Sequence, residues 1–243
     1  MIYQRYSKTT KEENDPAKKI IESLLDNDAD PNKTDIYGLK ALHHAAMRDN
    51  GDIVRILVTR GGHIDCVDKQ HSTPLHIAAT YGNTKVVEVL MVEGANIRLK
   101  DEKGQTPLHK TAISGNPETI EKMLDCIGIE LLEEMIGERD RDGNTPIMLA
   151  IASGIYECMQ IIVSRCGSAE FMAVSNNHGE YPIHLGVRSG SLDIIKLLSS
   201  HGANLNQTNS LIQTPVYLAA ECPRENDDGT GQSLEVMRFL VEK

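Results

Sequence analysis

Histidine recurs at one position of a repeated phrase and is the first candidate for chemistry in this chain. The clearest copy of the phrase is "STPLHIAATYGN" at 72–83. The recurring positions are His43, His76, His109 and His184. Imidazole is a common metal ligand, but a helical zinc site needs a second ligand three or four residues away, and no copy supplies one. Two further copies have Met148 and Tyr217 instead. These histidines are therefore interpreted as structural hydrogen-bonding groups, and no metal or other cofactor is predicted.

Cysteine is the second candidate for chemistry. The five positions are Cys66, Cys126, Cys158, Cys166 and Cys222. Their number is odd and none forms a C-x-x-C pair, which favours free, mostly buried thiols in a reducing cytosol over a disulfide framework. Cys158 and Cys166 lie eight residues apart, too far along a helix for an unstrained bridge, and Cys222 is expected to be the most exposed thiol. Because no phosphate-binding loop or nucleophile elbow accompanies them, no catalytic residue is predicted.

Charge and hydropathy exclude several classes of function. The 243 residues include 25 basic and 35 acidic side chains, a net charge of −10 that disfavours nucleic acid and anionic lipid as partners. No apolar run reaches the roughly 18–20 residues that a membrane helix needs, so no membrane insertion is expected. The first residues are too polar for a secretory signal, and a cytoplasmic location is predicted. With no Trp, 7 Tyr and 2 Phe, the core must consist mainly of thin aliphatic layers.

The phrase around each histidine marks an internal repeat. Its proline position is occupied by Ala41, Pro74, Pro107, Pro146, Pro182 and Pro215. The spacings between these markers are 33, 33, 39, 36 and 33 residues, and so steady a period is typical of repeat proteins. Six units are predicted to start near 35, 68, 101, 140, 176 and 209. Residues 1–34 form an N-terminal segment with a partial, capping repeat, and residues 35–243 form the repeats.

Each recurring residue type has a structural reason. Threonine suits the N-cap of a first helix, proline its first turn, and glycine the left-handed residue that ends it. The residues assigned these structural roles are Thr73, Pro74, His76, Gly82, Thr106, Pro107, His109, Gly115, Thr145, Pro146, Gly154, His184 and Gly190. A small residue four positions after each marker allows close helix packing. One unit cannot bury its apolar face alone, so the units must stack into a solenoid.

These motifs resemble the ankyrin repeat family, whose pattern combines D-x-x-G, T-P-L-H-x-A-A, a glycine turn and a second helix ending in G-A. The resemblance runs from about Asp15 to the end of the chain. It implies an all-α fold, an ankyrin-repeat α-solenoid of stacked helix-turn-helix units with short β-hairpin fingers. The first helices of the units would line a concave face, and the second helices would form its convex back.

Several departures from the pattern carry their own expectations. Lys40 replaces the capping threonine of unit one, and His71 and Ile212 replace a finger glycine, which predicts non-ideal turns there. Six extra residues in unit three predict a lengthened second helix or an extra turn, and unit four has three extra residues. Unit six contains an acidic insertion at about 221–232, expected to be a mobile loop. Because the chain stops inside a second helix, it is expected to be a fragment of a larger protein.

Recognition is the function that remains, and the residues free to vary between units are its candidates. They lie at the finger tips and on the solvent side of the first helices: Tyr37, Met47, Arg48, Gln70, Thr80, Tyr81, Lys103, Ile113, Ser114, Asp142, Ser153, His178 and Arg188. Tyrosine and arginine are the strongest contact types among them. The leading hypothesis is a non-enzymatic protein-interaction module that binds a partner protein or a segment of its own chain.

Two alternatives remain open. The stretch at 154–206, with its "ECM" phrase and longer link, resembles the N-terminal ankyrin arrays of TRPA-type transient receptor potential cation channels. That resemblance implies a cytosolic element that regulates or couples gating in a homotetrameric, calcium-permeable channel. The other alternative is a set of regulatory repeats fused to an enzyme, such as a kinase or phospholipase. The residues beyond Lys243 would distinguish the two.

Overall fold

The computed structural model describes residues 16–165, 169–221 and 232–242. In these ranges the regular elements are helices, and no β-strand occurs. A single helix, α1 (Pro16–Asp26), precedes the complete units. The paired helices are α2 (Ala41–Ala46) with α3 (Gly51–Thr59), α4 (Pro74–Tyr81) with α5 (Thr84–Val92), α6 (Pro107–Ser114) with α7 (Pro117–Asp125), α9 (Pro146–Ser153) with α10 (Tyr156–Arg165), α11 (Pro182–Ser189) with α12 (Leu192–Ser200), and α13 (Pro215–Glu221) with α14 (Gln232–Glu242). The extra elements are α8 (Ile129–Gly137) and a 3-10 helix at Ala169–Ala173.

The helices form two parallel layers. Each first helix contacts the first helix of the next unit, from α2 through α4, α6, α9 and α11 to α13. The second helices form the other layer, from α1 through α3, α5, α7, α10 and α12 to α14. Aliphatic side chains such as Leu75, Leu108 and Ile120 are fully buried between the units. Gly186 shows why small residues recur here, since a Cβ on it would lie 2.9 Å from Leu198 Cδ1.

The polar turn before each first helix, here called the finger, is a closed turn rather than a pair of strands. In unit three, Asp101 N–H donates to Gln105 O at 3.0 Å and Gly104 N–H donates to Asp101 O at 2.9 Å. The expectation that His71 and Ile212 distort their turns is wrong. Both adopt the left-handed conformation, with φ of 59° and 60°, and keep the same turn bonds. The β-branched Ile212 therefore carries backbone strain that glycine would not.

The helix starts depart from the expected capping at one place. Thr73 Oγ1 accepts from His76 N–H and Thr214 Oγ1 accepts from Tyr217 N–H, both at 3.3 Å. Thr145 Oγ1 is buried and has no hydrogen-bond partner among the residues that the structure describes. The capping role predicted for the Thr145 hydroxyl is therefore not realised, and the position where a partner ring would stand is filled by Met148.

The extra residues of units three and four include helical elements of their own. The excess of unit three is neither a longer second helix nor a turn, but the separate helix α8. Its residues Met135 and Ile136 are fully buried, so the insertion is packed against the repeats by its apolar face. The extra residues of unit four include the 3-10 helix. The insertion predicted at about 221–232 falls largely on residues outside the described ranges. None of the described helices is both long and apolar enough to span a bilayer.

Candidate protein-binding surface

An open groove of about 430 Å³ lies between the fingers and the first helices of units one to three. Its lining, called here the finger groove, consists of Tyr37, Leu39, Met47, Asp68, Lys69, Gln70, Ser72, His76, Ile77, Thr80, Tyr81 and Lys110. Five of the predicted contact residues meet in it. They are Tyr37, Met47, Gln70, Thr80 and Tyr81.

Two tyrosines stand on different elements of the finger groove. Tyr37 is 66% exposed on the finger of unit one, where Asp35 Oδ1 accepts its backbone N–H at 2.8 Å. Tyr81 is 61% exposed at the end of α4, which stops at Gly82 in the left-handed conformation with φ of 65°. Between them the side chain of Ile77 is buried. The groove thus combines an apolar floor with exposed aromatic rings, a composition enriched at binding hot spots.

A nearly buried ion pair lies at the polar end of the finger groove. Lys110 Nζ lies 2.6 Å from Asp101 Oδ2 and donates to Gln105 Oε1 at 2.9 Å. Burial raises the pKa of Asp101, but the bond from Lys110 and two backbone N–H groups outweigh it, so the net pKa is below the usual value. Lys69 Nζ donates to Ile36 O at 2.7 Å and so bridges two fingers without meeting a carboxylate.

The finger tips of units two to five are joined edge to edge. Glu102 N–H donates to Gln70 O, Arg141 N–H to Lys103 O and Asn177 N–H to Asp142 O, each at 2.9 Å. These bonds place Lys103, Asp142 and the exposed His178 along one row of tips that begins at Gln70 beside the finger groove. The row provides a continuous polar rim next to the apolar groove.

The other predicted contact residues lie elsewhere or have partners of their own. Ile113 is 46% exposed on α6. The hydroxyls of Ser114 and Ser153 donate to carbonyls of their own helices at 2.8 and 2.7 Å. Arg188 pairs with Glu180 at 2.8 Å. The Ser114, Ser153 and Arg188 side chains therefore already have partners within the chain, whereas Ile113 is open to solvent.

Arg48 does not belong to the finger groove. It lines a separate apolar cavity of about 330 Å³ between α1 and α2, together with Ile21, Leu25 and Ala45. Met47 is the C-cap of α2 and Arg48 lies in the turn that follows, and the two side chains line different surfaces, Met47 the finger groove and Arg48 this cavity. The sequence pattern could not separate the two residues.

The recurring histidines brace each unit against the next finger. His76 Nδ1 accepts from Thr73 N–H at 3.2 Å, and His76 Nε2 lies 3.0 Å from Gln105 O. His43, His109 and His184 reach Ser72 O, Asn144 O and Gln213 O in the same way, at 3.1, 3.1 and 3.2 Å. Because Nδ1 must accept and Nε2 must donate, each ring is neutral. Burial is the main cause that lowers the pKa of all four imidazoles.

The thiols divide by environment. Cys66 and Cys158 are buried, and burial raises the pKa of each to about 11, which makes them poor nucleophiles. Cys126 is the one exposed thiol among the three that the structure describes, and it follows the last turn of α7, where the insertion begins. Cys166 and Cys222, including the predicted exposure of the latter, lie outside the described residues.

One cross-unit contact was missed by sequence reasoning. Asp49 takes the place that glycine has in most other units and adopts φ of 43°. Its Oδ1 accepts from Lys85 N–H at 3.0 Å and so caps helix α5 of the following unit. An aspartate at a position that favours a left-handed residue was the available signal, since its side chain can bond backbone N–H groups.

The two helix layers, the period near 33 residues and the histidine-braced fingers define a helical repeat solenoid. A family model of three ankyrin repeats matches residues 12–101 and 82–173, and a single-repeat model matches 178–210. The chain belongs to the ankyrin repeat family, and the predicted all-α ankyrin-repeat solenoid is confirmed. This fold is a protein-interaction module and is generally not enzymatic.

Similar proteins come from different functional classes. The NF-kappa-B inhibitor cactus of Drosophila melanogaster is 27% identical over 34% of this chain and 22% of its own length. The human transient receptor potential cation channel subfamily A member 1 is 31% identical over 38% of this chain and 7% of its own. The chain thus spans less than a quarter of either relative. Among solved structures, the ankyrin repeat domain of Bcl-3 has a TM-score of 0.71 at 25% identity, covering 84% of this chain and 86% of that one.

Proposed function

We propose that this chain binds a segment of a partner protein, or of its own parent chain, in the finger groove of units one to three. The observation that carries the proposal is the pair of exposed tyrosines, Tyr37 and Tyr81, over a floor that includes Leu39, Met47 and Ile77. Within the described residues neither tyrosine hydroxyl has a hydrogen-bond partner, so both can bond to a bound segment. Free thiols at Cys66 and Cys126 suit the cytoplasm as the place of action.

A peptide-display library of random sequence tests the proposal without knowledge of the partner. We expect peptides selected on the native chain to bind at least about tenfold more weakly to the Tyr81→Ala variant, since buried aromatic anchors contribute over 1 kcal/mol. Val92→Ala is the matched control, because Val92 is 68% exposed on a second helix and does not line the groove. Thermal melting of both variants checks that the fold is retained.

The proposal fails if the selected peptides bind the Tyr81→Ala variant as tightly as the native chain. It also fails if Val92→Ala weakens binding as much as Tyr81→Ala, because the second-helix layer would then be the binding surface. Met47→Ala is a second test of the same groove, because Met47 lines it from the end of α2.

A second candidate function is that of a cytosolic ankyrin array that regulates or couples gating in a TRPA-type cation channel. The match to the human subfamily A member supports it, at 31% identity over 38% of this chain. The coding sequence downstream of Lys243 tests this candidate. Six apolar helices there would support a channel and its tetrameric assembly, whereas a catalytic domain would support repeats fused to an enzyme.

A further inference from the structure

We propose that the segment bound in the finger groove is acidic, although the chain itself carries a net charge of −10. The inference rests on the proposed function and names the chemistry of its partner. The acidic segment would seat an apolar side chain between Tyr37 and Tyr81 and extend its carboxylates along the finger tips of units two to four. Lys69, Lys103 and Arg141 are the cations that would receive them.

The charge of the chain is unevenly distributed over its two faces. The fingers and first helices, at 35–48, 68–81, 101–114, 139–153, 176–189 and 209–221, contain eight acidic and eight basic residues. The whole excess of −10 therefore lies in the rest of the chain, and the segment 115–138 alone has seven acidic residues and one basic residue. The fingers and first helices, called here the binding face, are electrically balanced, whereas the rest of the chain is acidic, most strongly at 115–138.

The acidic residues of the binding face are mostly engaged by the protein itself. Asp68 Oδ1, for example, accepts from Gln70 N–H and Ser72 N–H, both at 2.8 Å. The finger aspartates of units one, three and four make equivalent pairs of backbone bonds. Glu180 pairs with Arg188, and Glu221 accepts bonds from two side chains. Only two of the eight carboxylates, Glu102 and Asp142, have no partner in the described part of the chain.

Most basic residues of the same face have no carboxylate partner in the described ranges, although Lys69 and Arg139 donate to backbone carbonyls. Lys110 and Arg188 are the two that pair with a carboxylate in the described ranges. The other six have no such partner there, and among them Lys69, Lys103 and Arg141 are exposed on successive fingers. The bond from Arg141 N–H to Lys103 O, at 2.9 Å, holds two of these fingers side by side. Lys69 also lines the finger groove, so the row of cations begins where the apolar floor ends.

A peptide suits this surface better than a nucleic acid, which is also anionic. The groove offers an apolar floor for a side chain, and three cations are few for a phosphate backbone. The negative net charge of the chain repels an extended polyanion at long range, whereas a short peptide interacts mainly with the charges of the finger tips. Opposite charges at the rim of an interface mostly raise the association rate and its salt dependence.

The selected peptides of the display library provide the test. We expect those that lose binding to Tyr81→Ala to carry net negative charge, with Asp and Glu enriched over Lys and Arg. For the synthetic form of the best such peptide, Lys103→Glu with Arg141→Glu should weaken binding about tenfold or more, and added salt should weaken binding to the native chain. The matched control is Lys85→Glu with Lys196→Glu, which makes the same charge change on exposed second-helix positions and should change binding less than about twofold.

Three results would contradict the proposal that the bound segment is acidic. Groove-dependent peptides could be neutral or basic, the two charge-reversal pairs could weaken binding equally, or single-stranded RNA could bind the native chain more tightly than the peptide. In the first case the finger groove is still a binding site and only its charge preference is wrong. If no selected peptide depends on Tyr81, the proposed function itself fails.

Discussion

Unit three and unit four begin their first helices with the same Thr-Pro pair but brace the next finger by different chemistry. In unit three, His109 Nδ1 accepts from Thr106 N–H at 3.2 Å and Nε2 reaches Asn144 O at 3.1 Å. In unit four, the fully buried Met148 occupies the histidine position, and Thr145 Oγ1 has no partner in the described chain. The same backbone layer is thus built once with a buried polar bridge and once without it.

Hydrogen bonds from the side chains of Arg139 and Asn176 hold the finger that follows unit four. Arg139 Nη2 donates to Ser175 O at 2.7 Å, and Asn176 Nδ2 donates to Asn144 Oδ1 at 2.9 Å. Arg139 is exposed, so water competes for its bond, whereas a buried imidazole has no such alternative partner. The repeat therefore accepts either kind of contact to the next finger. Only the buried histidine makes the free energy of unfolding depend on the protonation of the contacting side chain.

Replacing His76 of unit two by methionine, the residue that unit four has at this position, should produce the largest loss of stability. We expect His76→Met to lower the free energy of unfolding by about 1–3 kcal/mol, because it leaves the buried Thr73 N–H without its acceptor and removes one of the two bonds to Gln105 O, which still accepts from Asp101 N–H. Urea unfolding followed by circular dichroism measures the loss. Met148→Leu is the control and should cost under about 1.5 kcal/mol, since it exchanges apolar groups of similar volume. Equal losses in the two variants would show that the imidazole bridges contribute nothing beyond packing.

Lowering the pH should reduce the difference in the free energy of unfolding between the native chain and His76→Met. The folded-state pKa of His76 is below its unfolded value of 6.5, mainly through burial. Its contribution to stability is therefore present above about pH 6.5 and is lost as the pH falls, because the unfolded chain binds the proton more tightly. Between pH 7.5 and 5 we expect the cost of His76→Met to shrink by up to about 2 kcal/mol. Urea unfolding at the two pH values measures the change.

Met148→Leu again supplies the comparison for the pH experiment. Its cost should be the same at both pH values, since no titratable group is changed. A pH-independent cost of His76→Met would mean that the ring does not have to be neutral in the folded chain, contrary to the geometry of Nδ1, which accepts a backbone N–H at 3.2 Å.

The sequence was sufficient to predict the fold because most first helices of the repeats have a local signal at their start and end. Pro74 and Gly82, for example, bound helix α4 by their own backbone preferences. Ile212 was misjudged, because sequence preference gives the cost of a left-handed residue but not whether the neighbouring units impose one. The separate helix α8 was missed for a related reason, since periodicity alone does not show where one helix stops and another begins.

The candidate surface was less predictable than the fold. The pattern of variable positions selected Met47 and Arg48 together, but in the turn that ends α2 the two side chains line different surfaces. Lys110, which lines the finger groove, was absent from the prediction because its role depends on its contacts with Asp101 and Gln105 in the finger. Apart from positions such as the recurring histidines, the sequence of one unit does not show which partners a side chain already has in the folded chain.

The smallest effect should come from the two threonines that precede the compared helices. Thr106 Oγ1 lies 2.8 Å from His109 Nδ1, whereas the buried Thr145 Oγ1 has no partner within the described ranges. We expect Thr106→Val to cost about 1 kcal/mol and Thr145→Val to be neutral or to stabilise the chain by up to about 1 kcal/mol, because it removes an unpaired buried hydroxyl. Both substitutions keep the side-chain shape, so urea midpoints at pH 7.5 compare them directly. A loss in Thr145→Val as large as in Thr106→Val would show that the Thr145 hydroxyl has a partner in solution and that the two units are braced more alike than their side chains indicate.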